Sequence, residues 1–218
     1  MNINKYKYMT NKNIDIIDNF LNENDHSILL EQLLPLKFKE VKQIRDGHYS
    51  HIFHYEGDYF PNTNEIYSAK FNHIEDNLIT EPILSNFKRK IVELIIKKYD
   101  DKYKYFSQPV IIKLNKSCYY RLHTDAYAGK VGYTYFLNKK WIYDHGGLLN
   151  FVNFDKTITP IMPISNRIII RDEKEVLPHF LSSIEQWSDL EQFIIIGWIN
   201  DELSLNNNII KNYQKLIP

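Results

Sequence analysis

"CYYRLHTDAY", residues 118 to 127, has the texture of a β-strand and carries His123 and Asp125 two positions apart. Side chains alternate between the faces of a strand, so these two can offer an imidazole and a carboxylate to one ion from one face. A third ligand must then come from elsewhere. His179, in "VLPHFL", is the best-placed candidate, because it follows the strand-like run "RIIIRD" and precedes another. Two histidines and a carboxylate leave open positions on an octahedral ion such as Fe(II), with room for a cosubstrate and then O2. The tripeptide alone is weak evidence, since His-x-Asp is common and a lone strand histidine is more often a core or surface residue.

Around this stretch the chain changes texture. Asn13 to Leu34 has apolar residues at roughly helical spacing, with Asn24 or Asp25 placed to cap a second segment and Pro35 closing it. Glu81 to Tyr99 reads as an amphipathic helix with Pro82 near its start and Ile83, Leu84, Phe87, Ile91, Leu94 and Ile95 in one stripe. Short β-type runs follow: "QPVIIKL", "CYYRLHTDAY", "VGYTYFLN", "LLNFVNF", "RIIIRD" and "EQFIIIGWIN". Helices first and strands later imply an α+β, mainly β chain. Strands this numerous with no helical pattern between them favour an antiparallel sandwich or barrel backed by helices. The tail, residues 201–218, reads as a short terminal helix.

Composition narrows the functional classes. The chain has 218 residues, 44% of them hydrophobic, which suits one domain with a substantial core. Basic and acidic residues balance at 27 each, so no overall field recruits nucleic acid or an anionic membrane. The single cysteine, Cys118, excludes an internal disulfide and a multi-cysteine zinc site; it fits a reducing, cytoplasmic location. The N-terminal "MNINKYKYMTNKN" lacks the apolar core of a signal peptide, and no apolar run reaches membrane-spanning length. A soluble protein without a membrane partner is expected.

The successive segments "YYRLHTD", "VGYTYFLNKKW", "DHGGLLNF", "NRIIIRDEKEVLPH" and "IIIGWIN" together resemble the prolyl-4-hydroxylase-like 2-oxoglutarate and Fe(II)-dependent oxygenases, in particular the branch of the oxygen-sensing prolyl hydroxylases. The resemblance spans roughly Ile111 to Asn200, and "NFLNEND" near Phe20 is similar to a helix entry common in these proteins. It implies a double-stranded β-helix (jelly-roll) barrel over residues 106–200, a helical support layer with early strands over 1–105, and a C-terminal tail from 201 to 218, in one oxygenase domain. It also implies that His123, Asp125 and His179 hold Fe(II), with 2-oxoglutarate as cosubstrate and ascorbate as an accessory. The implied substrate is an amino acid, a peptidyl residue or a small metabolite, hydroxylated at an unactivated C–H bond. Tyr120, Tyr135 and Trp198 fall among the family's pocket positions, and Gly146 and Gly147 match its paired glycines. For Trp141 and Trp198, core packing explains a buried tryptophan equally well.

Two positions on the last strand depart from the pattern. The family carries an arginine or lysine six residues before the last-strand tryptophan, where it pairs with the distal carboxylate of 2-oxoglutarate. Here that residue is Gln192, with Ile194 in place of a small hydroxyl residue, and no lysine or arginine occurs between His179 and Lys211. Arg171 is the first candidate for a replacement, because an arginine inside an apolar strand needs a partner. Its alternative is an internal salt bridge with Asp172, Glu173 or Glu175. Lys113 is the second, standing where the branch has a cosubstrate-binding tyrosine; the alternative is a solvated strand residue.

The spaced histidines His48, His51 and His54 belong to a segment, Gly47 to Asn62, that is expected near the barrel mouth or in a merely structural role. His145 reads as a turn residue, His26 and His73 as surface residues, and Arg121 as facing either the pocket or the rim. Two rival functions stay open: an iron oxygenase that does not use 2-oxoglutarate, and a non-catalytic ligand-binding barrel.

Overall fold

The computed structural model describes residues 13–45, 67–74, 81–99, 103, 105–107, 109–125, 128–153, 155–173, 178–201 and 213–215. Among the described residues, two α-helices, α1 (Glu23–Leu33) and α2 (Glu81–Tyr99), accompany thirteen strands. The strands are β1 (Ile14–Ile17), β2 (Phe38–Arg45), β3 (Tyr67–Ile74), β4 (Tyr105–Ser107), β5 (Val110–Leu114), β6 (Tyr119–His123) and β7 (Val131–Phe136). They continue with β8 (Leu149–Val152), β9 (Ile158–Ile161), β10 (Arg167–Asp172), β11 (His179–Leu181), β12 (Gln192–Asn200) and β13 (Tyr213–Lys215). The ladder runs β1-β10-β7-β12-β5-β3-β6-β11-β8-β9, with β2 on β3, and β4 between β12 and β13. Its pairings are antiparallel, as in a jelly roll.

Strand alternation divides the core in two. Val131, Tyr133 and Tyr135 of β7, Ile168 and Ile170 of β10, and Phe193, Ile195 and Ile199 of β12 face the helices. Phe136, Ile169 and Ile194 from the same strands, with Ile112 and Leu114 of β5, face Leu149, Phe151 and Ile161 of β8 and β9 instead. The second face is the inside of the barrel. Against the first, α2 buries Leu84, Phe87, Ile91 and Ile95 at helical spacing, and each contributes roughly 1.5–3 kcal/mol. The α1 helix starts on Asn22, whose side chain accepts a 2.8 Å hydrogen bond from the Asp25 amide, and it buries Leu29, Leu30 and Leu33.

Three expectations change here. Ile14–Ile17 is not helical but an edge strand paired with β10, because its main chain caps an otherwise open ladder and Ile14 reaches the barrel core. Three isoleucines in a four-residue segment cannot by themselves separate helix from strand. The cap of α1 is Asn22 rather than Asn24 or Asp25. In the tail, Tyr213–Lys215 is a strand on β4 rather than part of a helix.

Candidate metal centre

Strands β6 and β11 set His123 directly opposite His179 in an antiparallel ladder, with ring centroids 4.4 Å apart. Asp125 lies just past the end of β6, so the strand face supplies one ligand and the turn after it the other. His123 Nδ1 lies 2.7 Å from the Arg121 carbonyl and donates to it, which leaves Nε2 facing the acid. His123 Nε2 is 3.6 Å from Asp125 Oδ1, and His179 Nε2 is 3.5 Å from Asp125 Oδ2. One donor atom from each of the three falls within 4.8 Å of the others. This arrangement can close around a divalent ion, and a carbonyl that fixes the tautomer of a metal-binding imidazole is a usual support.

The electrostatics favour the ligand forms. Burial, and then the neighbouring His179, push the His123 imidazole down to about 4, so it is neutral near pH 7. Burial alone would raise the Asp125 carboxyl, but His179, His123 and Arg171 hold it well below the usual carboxylate range. The rings of Tyr120 and Phe151 flank the pair, at 5.8 Å from His123 and 5.6 Å from His179.

No family model matches the sequence, and no curated protein matches it. Solved structures do. A prolyl hydroxylase from Trichoplax adhaerens, in complex with a hypoxia inducible factor oxygen degradation domain peptide, is similar at a TM-score of 0.63 and 18% identity, over 88% of this chain and 85% of that one. A prolyl-4-hydroxylase from Pseudomonas putida is similar at 0.55 and 15%, over 87% and 93%. An oxidoreductase of the 2OG-Fe(II) oxygenase family from Burkholderia pseudomallei is similar at 0.54 and 10%, over 92% and 89%. The fold is that of the prolyl-4-hydroxylase-like 2-oxoglutarate oxygenases.

Within that fold, the residues expected to hold a cosubstrate are dispersed. Arg171 is 2% exposed and already committed: Nε donates to Glu173 Oε1 at 2.8 Å, Nη1 to Thr134 Oγ1 at 2.9 Å, and Nη2 to Asp125 Oδ2 at 2.8 Å. It therefore supports a candidate metal ligand rather than standing free for a cosubstrate. Lys113 lies on the face of β5 opposite Ile112 and Leu114, 2.9 Å from Glu191 and over the Phe38 ring, outside the barrel. Tyr135 also faces the helices; its hydroxyl donates to Asn166 and lies 2.7 Å from His26 Nδ1. His26 is thus a partly buried core partner, not a surface residue.

Gln192 does face inward, fully buried, with Nε2 donating to the Gly147 carbonyl at 3.0 Å. Gly146 and Gly147 have φ of 71° and 64°, so the paired glycines supply a left-handed turn. Trp198 is inward-facing and in register with Gly132, which in turn pairs with Arg171. Trp141 packs in the barrel core, with Nε1 on the Gly146 carbonyl. Arg121 is exposed, hence a rim residue. His48, His51 and His54, and the segment from Gly47 to Asn62, lie outside the described residues, as does the side chain of His73.

Thr134 and Glu173 were not singled out as site residues. Glu173 had a signal, since it follows Arg171 by two, the spacing that puts strand residues on one face. Burial raises its carboxyl against the counteracting pull of Arg171. Gly132 makes the cluster possible: a Cβ there would meet Glu173 Oε1 at 2.5 Å and Arg171 Nη2 at 2.8 Å.

Proposed function

We propose that this chain is a mononuclear non-haem iron oxygenase that uses a 2-oxo acid and hydroxylates an unactivated C–H bond of an amino acid, a peptidyl residue or a small metabolite. The observation that carries the reading is the convergence of His123, Asp125 and His179 within 4.8 Å on the inner wall of a barrel with the oxygenase fold. Their chemistry fits Fe(II): two imidazole nitrogens and one carboxylate bind the ion and leave sites for smaller ligands. When bound, Fe(II) supplies the site at which O2 is activated.

The chain's own residues do the rest. The Arg121 carbonyl sets the His123 tautomer. Arg171 grips Asp125 Oδ2 and turns the other oxygen, Oδ1, towards His123. The apolar wall of Phe136, Phe151, Ile169 and Ile194 excludes water from the space beside the centre, which protects a reactive site from solvent. A peptide accompanies the Trichoplax adhaerens relative, which supports keeping peptidyl substrates in view.

Metal titration of protein stripped with a chelator tests this reading. One Fe(II) or Mn(II) should bind per chain, and His123→Ala, Asp125→Ala and His179→Ala should each lose it while retaining the far-UV circular dichroism of the parent. Undiminished metal binding in all three variants would exclude the assignment.

A further inference from the structure

We infer that the ligand chelated beside the metal is a 2-oxo monocarboxylate with an uncharged tail, taken in preference to a dicarboxylate such as 2-oxoglutarate. This rests on the reading of His123, Asp125 and His179 as iron ligands.

Residues directly paired across an antiparallel ladder share a face. The inner wall of the barrel can therefore be followed row by row from the metal ligands. Arg171, Gly132 and Trp198 form the row tied to Asp125. Next come Ile169, Thr134 and Ile196, then Arg167, Phe136, Ile194 and Ile112, and at the far end Gln192 with Leu114. Successive rows lie about 7 Å apart. Among the described side chains, the wall beyond Thr134 is thus aliphatic and aromatic, apart from Arg167, until it reaches a neutral amide.

A second carboxylate placed against this wall would need a cation, and among the described residues the inward-facing cations are taken. Arg171 is compensated by Asp125 and Glu173. Arg167 makes a two-pronged contact with the Asp18 carboxylate and donates to the Met162 carbonyl. Lys113 sits on the opposite face with Glu191. At the far end, Gln192 gives one Nε2 hydrogen to the Gly147 carbonyl and keeps a second, uncharged N–H, and its Oε1 has no partner among the described residues. That atom is an acceptor and cannot bond to a carboxylate. A buried carboxylate without a counter-charge is strongly disfavoured, whereas a methyl end suits the Phe136 and Ile194 wall.

The test uses Mn(II)-loaded protein under argon, titrated calorimetrically with 2-oxoglutarate and with 2-oxopentanoate, which has the same five-carbon chain ending in a methyl group. The expected result is at least tenfold tighter binding of 2-oxopentanoate. Gln192→Arg should reverse the order by tightening 2-oxoglutarate at least tenfold. Equal or tighter binding of 2-oxoglutarate by the wild-type protein overturns the inference, whether or not the arginine variant folds. So does binding of neither ligand by protein that holds its metal. Failure to bind Mn(II) at all removes the iron reading itself, and the metal titration that precedes the ligand titration separates that outcome from the others.

Discussion

Replacing Arg171 by methionine keeps most of its volume and removes the guanidinium that joins Glu173, Thr134 and Asp125. Glu173 is 0% exposed, and its other oxygen already lacks a partner among the described residues, so the variant leaves a buried carboxyl with neither oxygen bonded. Breaking a buried ion pair from one side costs about 3–5 kcal/mol, a large part of the stability of an ordinary domain. Adding Glu173→Gln removes the stranded acid and should restore most of that loss, because the pair is then deleted without net charge. Metal affinity should not return with stability. In the double variant Asp125 Oδ2 has lost its donor, and losing a support of this kind weakens binding about 10–100-fold. Urea unfolding of the metal-free protein gives the first quantity and Mn(II) calorimetry the second. Unchanged metal affinity in the double variant, together with weakened 2-oxo acid binding, would refute this reasoning and return Arg171 to the ligand-binding role that its sequence position suggests.

The candidate metal ligands were legible because polar donors stand out in strand-like surroundings and their positions match a known pattern. Their geometry needed the structure. The spacing of His123 and Asp125 suggested one strand face, yet β6 ends at His123 and the acid comes from the turn beyond it. Gln192 could be placed at the end of the inner wall, since its distance from Trp198 is counted along a single strand. Arg171 was half legible. A buried arginine demands partners and Glu173 lies two residues on, but Asp125 and Thr134 come from distant segments that no local pattern ties to β10.

Lys113 and Tyr135 were misplaced for a common reason. A strand with one wet face announces its orientation by alternating polar and apolar residues. In this barrel the central strands are covered on both sides, by helices on one and by the second strand layer on the other. Every residue of β7 is buried, so "VGYTYF" contains no mark of which face is the inside. Only the ladder register shows that Thr134 and Phe136 face the centre while Tyr135 turns to α2. The same loss of contrast hid β1, whose apolar residues serve the barrel core and the helical layer together.

Lys113→Ala and Tyr135→Phe should leave 2-oxo acid binding to the Mn(II)-loaded protein within about twofold; a larger loss in either, by calorimetry, would place that side chain in the pocket. Gly132→Ala should lower stability by about 1–3 kcal/mol in urea unfolding, because the added methyl group overpacks Glu173 and Arg171 in an enclosed cluster. Acid should weaken the metal-free protein through His123, whose folded imidazole is held down at about 4 against an ordinary 6.5. Between those values the unfolded chain binds the extra proton and the folded chain does not, so stability falls as pH drops from 6.5 towards 4, by about 3 kcal/mol from this group. His123→Gln cannot take up that proton and should flatten the decline. An equally steep decline in the variant would assign the acid sensitivity to other groups and leave His123 exposed to water in the metal-free state.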